Sequence, residues 1–229
     1  MSVAPLKYLQ LSGRSQCHLQ EVFPGHFLHR DVVAAYLTLV EQAASEGFTL
    51  RLASGFRSFE RQLAIWNAKA RGQRVVVDGE GRPLVLETLS ERDRVFAILR
   101  WSALPGASRH HWGSDMDIWD SAAVGQDYQL QLSPDEYAPG GPFYACARWL
   151  DALISSGGTA FFRPYTGRQT GGVAAEPWHL SFRPLAMACE RALTQDVLYE
   201  LIADTDICLQ DAILANLDEI YSRFICLKC

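Results

Sequence analysis

The chain has 229 residues, of which 48% are hydrophobic and 21% are charged, and its formal net charge is -5. This balance is typical of a globular protein with a sizeable core and excludes a disordered or fibrous chain. The Lys and Arg residues are scattered, so no basic surface for nucleic acid is expected. No run of about 18 apolar residues and no leader-like N-terminus occur, so we expect no membrane span and a cytoplasmic location.

The cysteines indicate a reduced protein without a disulfide framework. There are six, at positions Cys17, Cys146, Cys189, Cys208, Cys226 and Cys229. Several lie in apolar helical stretches, where a thiol packs as a small hydrophobic group. Cys226 and Cys229 have the spacing of a zinc-binding pair, but no second pair or histidine accompanies them in the sequence. We therefore expect an incidental pair.

Apolar residues recur with helical spacing in the first half of the chain, with a strand-like alternation between the helices. The predicted elements are, in chain order, a helix over 31–46 with Asp31 as its N-cap, a strand over 48–52, a helix over 58–70 with Ser58 as its N-cap, a hairpin over 75–87 and a helix that Ser90 caps. The strand is followed by the segment 54–58, so its end delivers Arg57.

The second half of the chain contains the densest polar segment, residues 108–117, which leads into a short alternating strand. A helix is predicted over 143–156, and glycines at its end stop it. Residues 184–225 predict two further helices. We expect these to belong to a C-terminal helical extension, 184–229, that packs on the preceding domain, 1–183.

Histidines are the first candidates for metal ligands, and the chain has six. Three of them, His18, His26 and His29, lie in an N-terminal stretch without a nearby acidic cluster of ligand spacing, and we interpret them as surface or capping residues. The remaining candidates are His110, His111 and His179. A hydrolytic zinc site needs three protein ligands, and it keeps one position open for water.

Carboxylates accompany these histidines in the sequence. His110 and Asp117 are seven residues apart with Gly113 between them, so a turn at the glycine can direct both side chains to one point. Asp115 and Asp117 share one face of the strand that follows, and two acids on one face favour a cation.

Glu176 lies three residues before His179, and Pro177 between them disfavours a regular strand at that point. Such a turn can present both side chains together. In a zinc hydrolase, one residue of such a pair binds the metal and a nearby carboxylate accepts the proton of the attacking water.

Three segments together resemble the signature of VanY-type D-alanyl-D-alanine carboxypeptidases. They are Ser54-Gly55-Phe56-Arg57-Ser58 with Gln62, Ser108-x-His110-x-x-Gly113-x-x-x-Asp117, and Glu176-x-x-His179. They occur in the family's order and the resemblance covers residues 47–183. That family shares one zinc-binding fold with VanX-like dipeptidases, lysostaphin-type endopeptidases and the Hedgehog signalling domain. Each segment alone is a weak match, whereas the three together are specific.

The resemblance implies a role for each motif residue. His110, Asp117 and His179 would hold a Zn²⁺ ion, Glu176 would act as general base and then as general acid, and Arg57 would lie beside the scissile carbonyl. The implied fold is α+β, with a small antiparallel sheet that carries the metal site and is surrounded by helices. No organic cofactor is implied.

Substrate contacts are implied less directly. The resemblance gives this role to Ser58, Gln62 and Ser108. Among the tryptophans near the motifs, Trp112 and Trp119 are expected in the core, and Trp178 is the best candidate for lining the cleft. His111 is interpreted as a ring packed beside Trp112.

The implied activity is removal of a C-terminal D-amino acid from a peptidoglycan-type peptide or muropeptide. An L,D-carboxypeptidase and a D,D-dipeptidase of the same family remain alternatives, and the sequence does not indicate an oligomeric state. One position departs from the family's pattern, because Asp115 stands where a small alanine is often found. The carboxylate that binds the metal, Asp115 or Asp117, is therefore left open.

Two other classes of protein also fit parts of the pattern. Non-haem iron oxygenases use two histidines and one carboxylate, but they have no use for a carboxylate three residues before the second histidine. A binding module that has kept the zinc fold without turnover is the second alternative. The presence of both Glu176 and Arg57 favours an enzyme.

Overall fold

The computed structural model describes residues 6–167 and 171–226. In these ranges the helices are α1 (Tyr8–Leu11), α2 (Arg30–Ser45), α3 (Phe59–Ala70), α4 (Glu91–Leu99), α5 (Pro134–Tyr137), α6 (Tyr144–Ser155), α7 (Arg183–Ala192), α8 (Gln195–Ala203), α9 (Gln210–Ala215) and α10 (Leu217–Ile220). The strands are β1 (Leu19–Phe23), β2 (His26–His29), β3 (Leu50–Ser54), β4 (Asp115–Asp120), β5 (Phe161–Phe162) and β6 (His179–Phe182). Shorter helical turns are Leu86–Thr88, Arg109–Trp112, Ser121–Ala123 and the π-helical turn Tyr221–Ile225.

Four strands form one antiparallel sheet in the order β3, β4, β6, β5. Asp117 of β4 pairs with Ser54 of β3 on one side and with His179 of β6 on the other. The register shifts between Leu52 and Ser54, at the end of β3. The predicted α+β fold with a small antiparallel sheet is confirmed, and its two central strands place Asp117 beside His179.

A second sheet, the hairpin of β1 and β2, was not predicted from the sequence. It packs behind the segments that lead into the site. The amide of Phe56 donates to the carbonyl of Phe27 at 2.8 Å, and the amide of His29 donates to the carbonyl of Gly113 at 2.9 Å. The hairpin therefore supports the backbone of two of the three motif segments, 54–58 and 108–117.

The hydrophobic core is shared by the sheet and the C-terminal helices. Met116 of β4 and Leu180 of β6 lie in the same buried cluster as Leu185, Leu198 and Ile213 of the C-terminal helices. The division of the chain at residue 183 stays a prediction. In the described part of the chain, no helix has the length and apolar character needed to cross a membrane.

Helix starts follow the predicted capping chemistry in two cases out of three. The hydroxyl of Ser58 accepts from the amide of Arg61 at the start of α3, and Ser90 accepts from the amide of Asp93 at the start of α4. For α2 the prediction was wrong, because the ring of His29 caps the helix and Asp31 lies in its first turn. The interpretation of His29 as a capping residue is thus correct, although the ring is buried rather than on the surface.

The segment 75–87 forms the predicted hairpin only in part, with a single antiparallel bridge between Val77 and Pro83. The amide of Asp78 donates to the carbonyl of Arg82 at 2.9 Å, and the amide of Leu84 donates to the carbonyl of Val76 at 2.8 Å. The Asp78 carboxylate accepts from the amides of Glu80 and Arg82 and thereby closes the turn.

Two other expectations differ from the structure. Residues 184–225 form four helices and a π-helical turn rather than two helices, with a break at Leu209, whose φ is +67°. His18 is buried rather than exposed. The predicted Cys226–Cys229 pair includes Cys229, which lies outside the described residues.

Candidate metal centre

His110, Asp117 and His179 converge at the middle of the four-stranded sheet. Each offers one ligand atom, these atoms lie within 4.8 Å of one another, and all three residues are buried. His110 comes from the helical turn before β4, Asp117 from β4 and His179 from the first position of β6. Two histidine nitrogens and one carboxylate oxygen form a three-ligand set that leaves room for water or substrate.

The turn at Gly113 brings His110 and Asp117 together, as the spacing predicted. Gly113 has φ of +68°, in the left-handed region that favours glycine. A Cβ at this position would lie 2.6 Å from the backbone nitrogen of His29. Glycine is therefore required both by the backbone conformation and by the close approach of β2.

Each histidine ligand has one ring nitrogen fixed by a hydrogen bond, which determines the nitrogen that faces the metal site. Nδ1 of His110 lies 2.8 Å from the carbonyl oxygen of Gly55 and donates to it, so Nε2 is the ligand atom. Nε2 of His179 lies 2.9 Å from Oδ1 of Asp115, so Nδ1 is the ligand atom. Outer partners of this kind fix the tautomer of metal-binding histidines.

Two of the three ligand atoms have no hydrogen-bond partner in the described part of the chain. Oδ1 of Asp117 and Nδ1 of His179 are buried and unsatisfied, and they lie 3.2 Å apart. Buried polar atoms are rarely left in this state, because each costs about 1–3 kcal/mol. A metal cation would satisfy both, so these residues fit a divalent metal.

The electrostatics of the site also suit a cation. Burial, followed by the nearby Arg57 and His179, lowers the pKa of His110 to about 3, so its ring is neutral. Burial alone would raise the pKa of Asp117, but His110, His179 and Arg57 together lower it. For His179, burial would lower the pKa, yet the hydrogen bond to Asp115 and the nearby carboxylates of Asp117 and Glu176 raise it well above its ordinary value.

Among the described residues, Glu176 lies next to the three metal ligands but is not itself one of them. Its Oε2 is 3.3 Å from Nδ1 of His179, and the turn at Pro177 and Trp178 separates it from β6. The amide of Glu176 donates to the carbonyl of Tyr165 at 3.0 Å, which fixes the backbone at that point. Burial raises the pKa of the Glu176 carboxyl. A carboxylate with a raised pKa accepts a proton more readily, as a general base must.

Arg57 is held in place by three groups. Its Nη1 donates to Oε1 of Gln62 at 3.0 Å, and its Nη2 donates to Oγ of Ser54 at 3.3 Å. Its carbonyl oxygen accepts from Nδ1 of His111 at 2.6 Å, while Nε2 of His111 accepts from the amide of Gly106 at 3.1 Å. His111 therefore fixes the backbone of Arg57, a role beyond the predicted packing beside Trp112.

A cavity of about 610 Å³ opens onto the metal site. Ser108 and Trp178, two of the predicted substrate contacts, line it together with Arg57 and Glu176. The other two, Ser58 and Gln62, are not among the described residues that line it. Ser58 caps α3, and Gln62 joins Arg57 to the carbonyl of Ala103. Their contact with substrate stays a prediction.

Several residues of the cavity were not singled out from the sequence. The ring of Tyr165 packs edge to face on His179, with 4.8 Å between centroids, and lines the cavity. Phe224 and Ile225, near the C-terminus, form part of its wall. Lys69 donates to the hydroxyl of Ser102, a cavity residue, at 2.7 Å, and its burial lowers its pKa to about 8. No spacing pattern connects these residues to the motifs, so sequence reasoning had no signal for them.

Comparison with known proteins agrees with this geometry. A sequence model of the VanY family, described as D-alanyl-D-alanine carboxypeptidase, matches residues 25–185. The chain belongs to the VanY family. The matched range contains all three motif segments and every ligand of the metal site, so the resemblance drawn from the motifs is confirmed.

Curated relatives are found in Haemophilus influenzae strain Rd. One uncharacterized protein is 45% identical over 98 residues, which cover 41% of this chain and 67% of that protein. A second uncharacterized protein is 32% identical over 123 residues, covering 53% of this chain and 92% of that protein. These relatives carry no assigned activity.

Solved structures show the same fold. VanYB in complex with D-alanine-D-alanine superposes with a TM-score of 0.54 at 20% identity, covering 88% of this chain and 94% of that chain. The E175A mutant of the vancomycin resistance D,D-pentapeptidase VanY from a VanB-type cassette, in complex with Zn(II), superposes with a TM-score of 0.51 at 22% identity, covering 85% and 88%.

The family assignment decides between the classes of protein that the sequence left open. The chain is a metallopeptidase of the VanY family, with His110, Asp117 and His179 as its metal site. A non-haem iron oxygenase and an inactive binding module are therefore set aside. Asp115 is bonded to the far nitrogen of His179, so Asp117 is the ligand carboxylate.

Proposed function

We propose that this protein is a zinc-dependent D,D-carboxypeptidase that removes a C-terminal D-amino acid from peptidoglycan-type peptides. The observation that carries the proposal is the convergence of three ligand atoms within 4.8 Å, with the Glu176 carboxylate 3.3 Å from one of them. Arg57 lines the same cavity. Two nitrogen ligands and one carboxylate, with one coordination position left open, are the ligand set that best suits a hydrolytic zinc ion.

When bound, a zinc ion supplies Lewis acidity that makes water a nucleophile near neutral pH and polarises the substrate carbonyl. The remaining steps belong to the side chains of the protein. Glu176 accepts the proton of the attacking water, and then donates it to the nitrogen of the leaving amino acid. Its buried position favours this exchange because the pKa of its carboxyl is raised.

Arg57 stabilises the negative charge that develops on the carbonyl oxygen as the tetrahedral intermediate forms. Its guanidinium is fixed by Gln62 and Ser54, so it needs no reorganisation when the charge appears. Ser108 and Trp178 line the cavity and are positioned to orient the peptide. The cavity, with a volume of about 610 Å³, is large enough for a short peptide.

Two findings support the choice of substrate. The family is described by D-alanyl-D-alanine carboxypeptidase activity, and the structural neighbour VanYB binds D-alanine-D-alanine. A D,D-dipeptidase and an L,D-carboxypeptidase of the same family are the alternatives to this specificity.

A substrate panel tests the proposal. The zinc-loaded protein is incubated with peptides of equal length that end in D-Ala-D-Ala, L-Lys-D-Ala or L-Ala-L-Ala, and the products are identified by mass spectrometry. We expect release of a single D-alanine from the D,D-terminated peptide. Cleavage confined to the L-Lys-D-Ala peptide, or release of the D-Ala-D-Ala dipeptide, would replace the proposed specificity with one of its alternatives.

The cellular compartment is a separate part of the proposal. Cys146 and Cys189 are buried free thiols, which a reducing compartment preserves. We propose a cytosolic protein that acts on imported or recycled peptides. Fractionation of cells that express the untagged protein tests this, because recovery of the protein from the medium or the periplasm would contradict it.

A further inference from the structure

A buried network behind His179 has no part in the mechanism above. Asp115 is fully buried and lies at the ring nitrogen of His179 that faces away from the metal site. Its Oδ1 accepts from Nε2 of His179 at 2.9 Å and from Nε of Arg109 at 2.8 Å. Its Oδ2 accepts from the hydroxyl groups of Ser114 and Ser181. Each oxygen of the Asp115 carboxylate therefore accepts two hydrogen bonds.

Arg109 extends the network to the C-terminal helices. This arginine is only 3% exposed, and besides Asp115 it donates to the hydroxyl of Ser181 at 2.7 Å and to the carboxylate of Glu190 on α7. Buried charges are costly unless they are paired and hydrogen-bonded. Here each charged group has an opposite partner, and the network has a single defined geometry.

We propose that Asp115 is a positioning residue for the metal site, which fixes the ring of His179 so that Nδ1 presents its lone pair to the metal. A neutral imidazole carries one N–H, and the acceptor at Nε2 keeps it on that nitrogen. A carboxylate partner also makes the ring a stronger ligand. Arg109 and Glu190 hold Asp115 in place. This proposal rests on the proposed function as a zinc enzyme.

The network couples the C-terminal helices to the metal site. Glu190 belongs to α7, which lies beyond the motif residues in the sequence. Its carboxylate reaches Arg109, Arg109 reaches Asp115, and Asp115 reaches His179. Loss of Glu190, Arg109 or Asp115 therefore weakens the orientation of the ligand His179, although none of the three side chains contacts the metal.

The test compares Asp115→Asn with Asp120→Asn, a matched control. Asp120 is a buried carboxylate at the end of the same strand, and its Oδ1 accepts from the amides of Thr49 at 2.8 Å and Ala122 at 3.1 Å, away from His179. Zinc affinity is measured by chelator competition. The ring N–H resonance of His179 in the zinc-loaded protein is recorded by NMR, which reports the strength of the bond to Asp115.

We expect Asp115→Asn to weaken zinc binding by about 10–100-fold and to move the His179 N–H resonance upfield, with Asp120→Asn like wild type in both. Glu190→Ala, at a less buried position, should weaken zinc binding in the same direction and serves if Asp115→Asn does not fold. An unchanged zinc affinity and an unchanged His179 N–H resonance in the Asp115 or Glu190 variant would overturn this inference but not the proposed function. Equal losses in the Asp120 control would also overturn it, and a wild-type protein that binds no zinc would overturn the proposed function with it.

Discussion

The imidazole rings of His110 and His179 meet edge to face, with 4.9 Å between their centroids, and present different nitrogens to one point. His110 presents Nε2, because Gly55 holds its Nδ1, whereas His179 presents Nδ1, because Asp115 holds its Nε2. The two rings therefore need different supporting residues.

Loss of any ligand should remove the metal. We expect His110→Ala, Asp117→Ala and His179→Ala each to reduce bound zinc from about one per chain to a small fraction. Metal analysis of the purified proteins by mass spectrometry measures this. His26→Ala, which changes a histidine of the β1–β2 hairpin away from the ligand set, should retain the wild-type content. Full retention of zinc in the ligand variants would show that the metal lies elsewhere.

Arg57 should affect turnover without affecting the metal. We expect Arg57→Met to lower kcat by about 10²–10³-fold, because its charge matters most when the carbonyl oxygen becomes anionic. Zinc content should be unchanged. Arg61→Met is the matched control, because it removes an exposed arginine from the first turn of α3. We expect its kcat to be close to wild type. If both variants lost activity to the same extent, a general loss of positive charge would explain the result better.

Zinc binding should release a proton at neutral pH. In the metal-free protein the pKa of His179 is raised well above its ordinary value, so Nδ1 carries a proton that the metal must displace. Zinc affinity therefore falls as the pH is lowered. Calorimetry in buffers of different ionisation enthalpy should show release of about one proton per zinc at pH 7. Zinc binding without proton release would contradict the charge state assigned to His179.

Gly113 should tolerate no side chain. Gly113→Ala places a Cβ 2.6 Å from the nitrogen of His29 and requires a non-glycine residue at φ of +68°. Gly81→Ala is the matched control, since Gly81 has φ of +81° but nothing within 4 Å of the added Cβ. We expect the control to lose about 1–2 kcal/mol of unfolding free energy and Gly113→Ala to lose more and bind zinc more weakly. Urea denaturation measures the first effect and metal analysis the second. Equal losses in the two variants would show that the hairpin does not restrict this turn.

Much of the metal site was predictable because its chemistry lies in short segments of sequence. His110 and Asp117 flank one glycine turn, and Glu176 precedes His179 by three residues. Spacing of this kind can be read without knowledge of the fold. The role of Asp115 was not accessible, because two of its partners in the network, Ser181 and Glu190, come from β6 and α7.

The elements that the sequence missed depend on contacts between distant segments. The β1–β2 hairpin has an alternation too irregular to read alone, with a register shift between Glu21 and Phe23, and it is fixed by bonds to Phe56 and Gly113. The contribution of Phe224 to the cavity follows from the packing of the C-terminal helices on the core. Local periodicity does not report such contacts.

The substitution Glu176→Gln tests the central claim most directly. Glutamine preserves the shape of the side chain but cannot accept the proton of the attacking water. We expect zinc content and peptide affinity to stay near wild type, while kcat for a peptide ending in D-Ala-D-Ala falls by at least about 10²–10⁴-fold. Hydrolysis at the wild-type rate by a zinc-loaded Glu176→Gln protein would contradict the proposed mechanism.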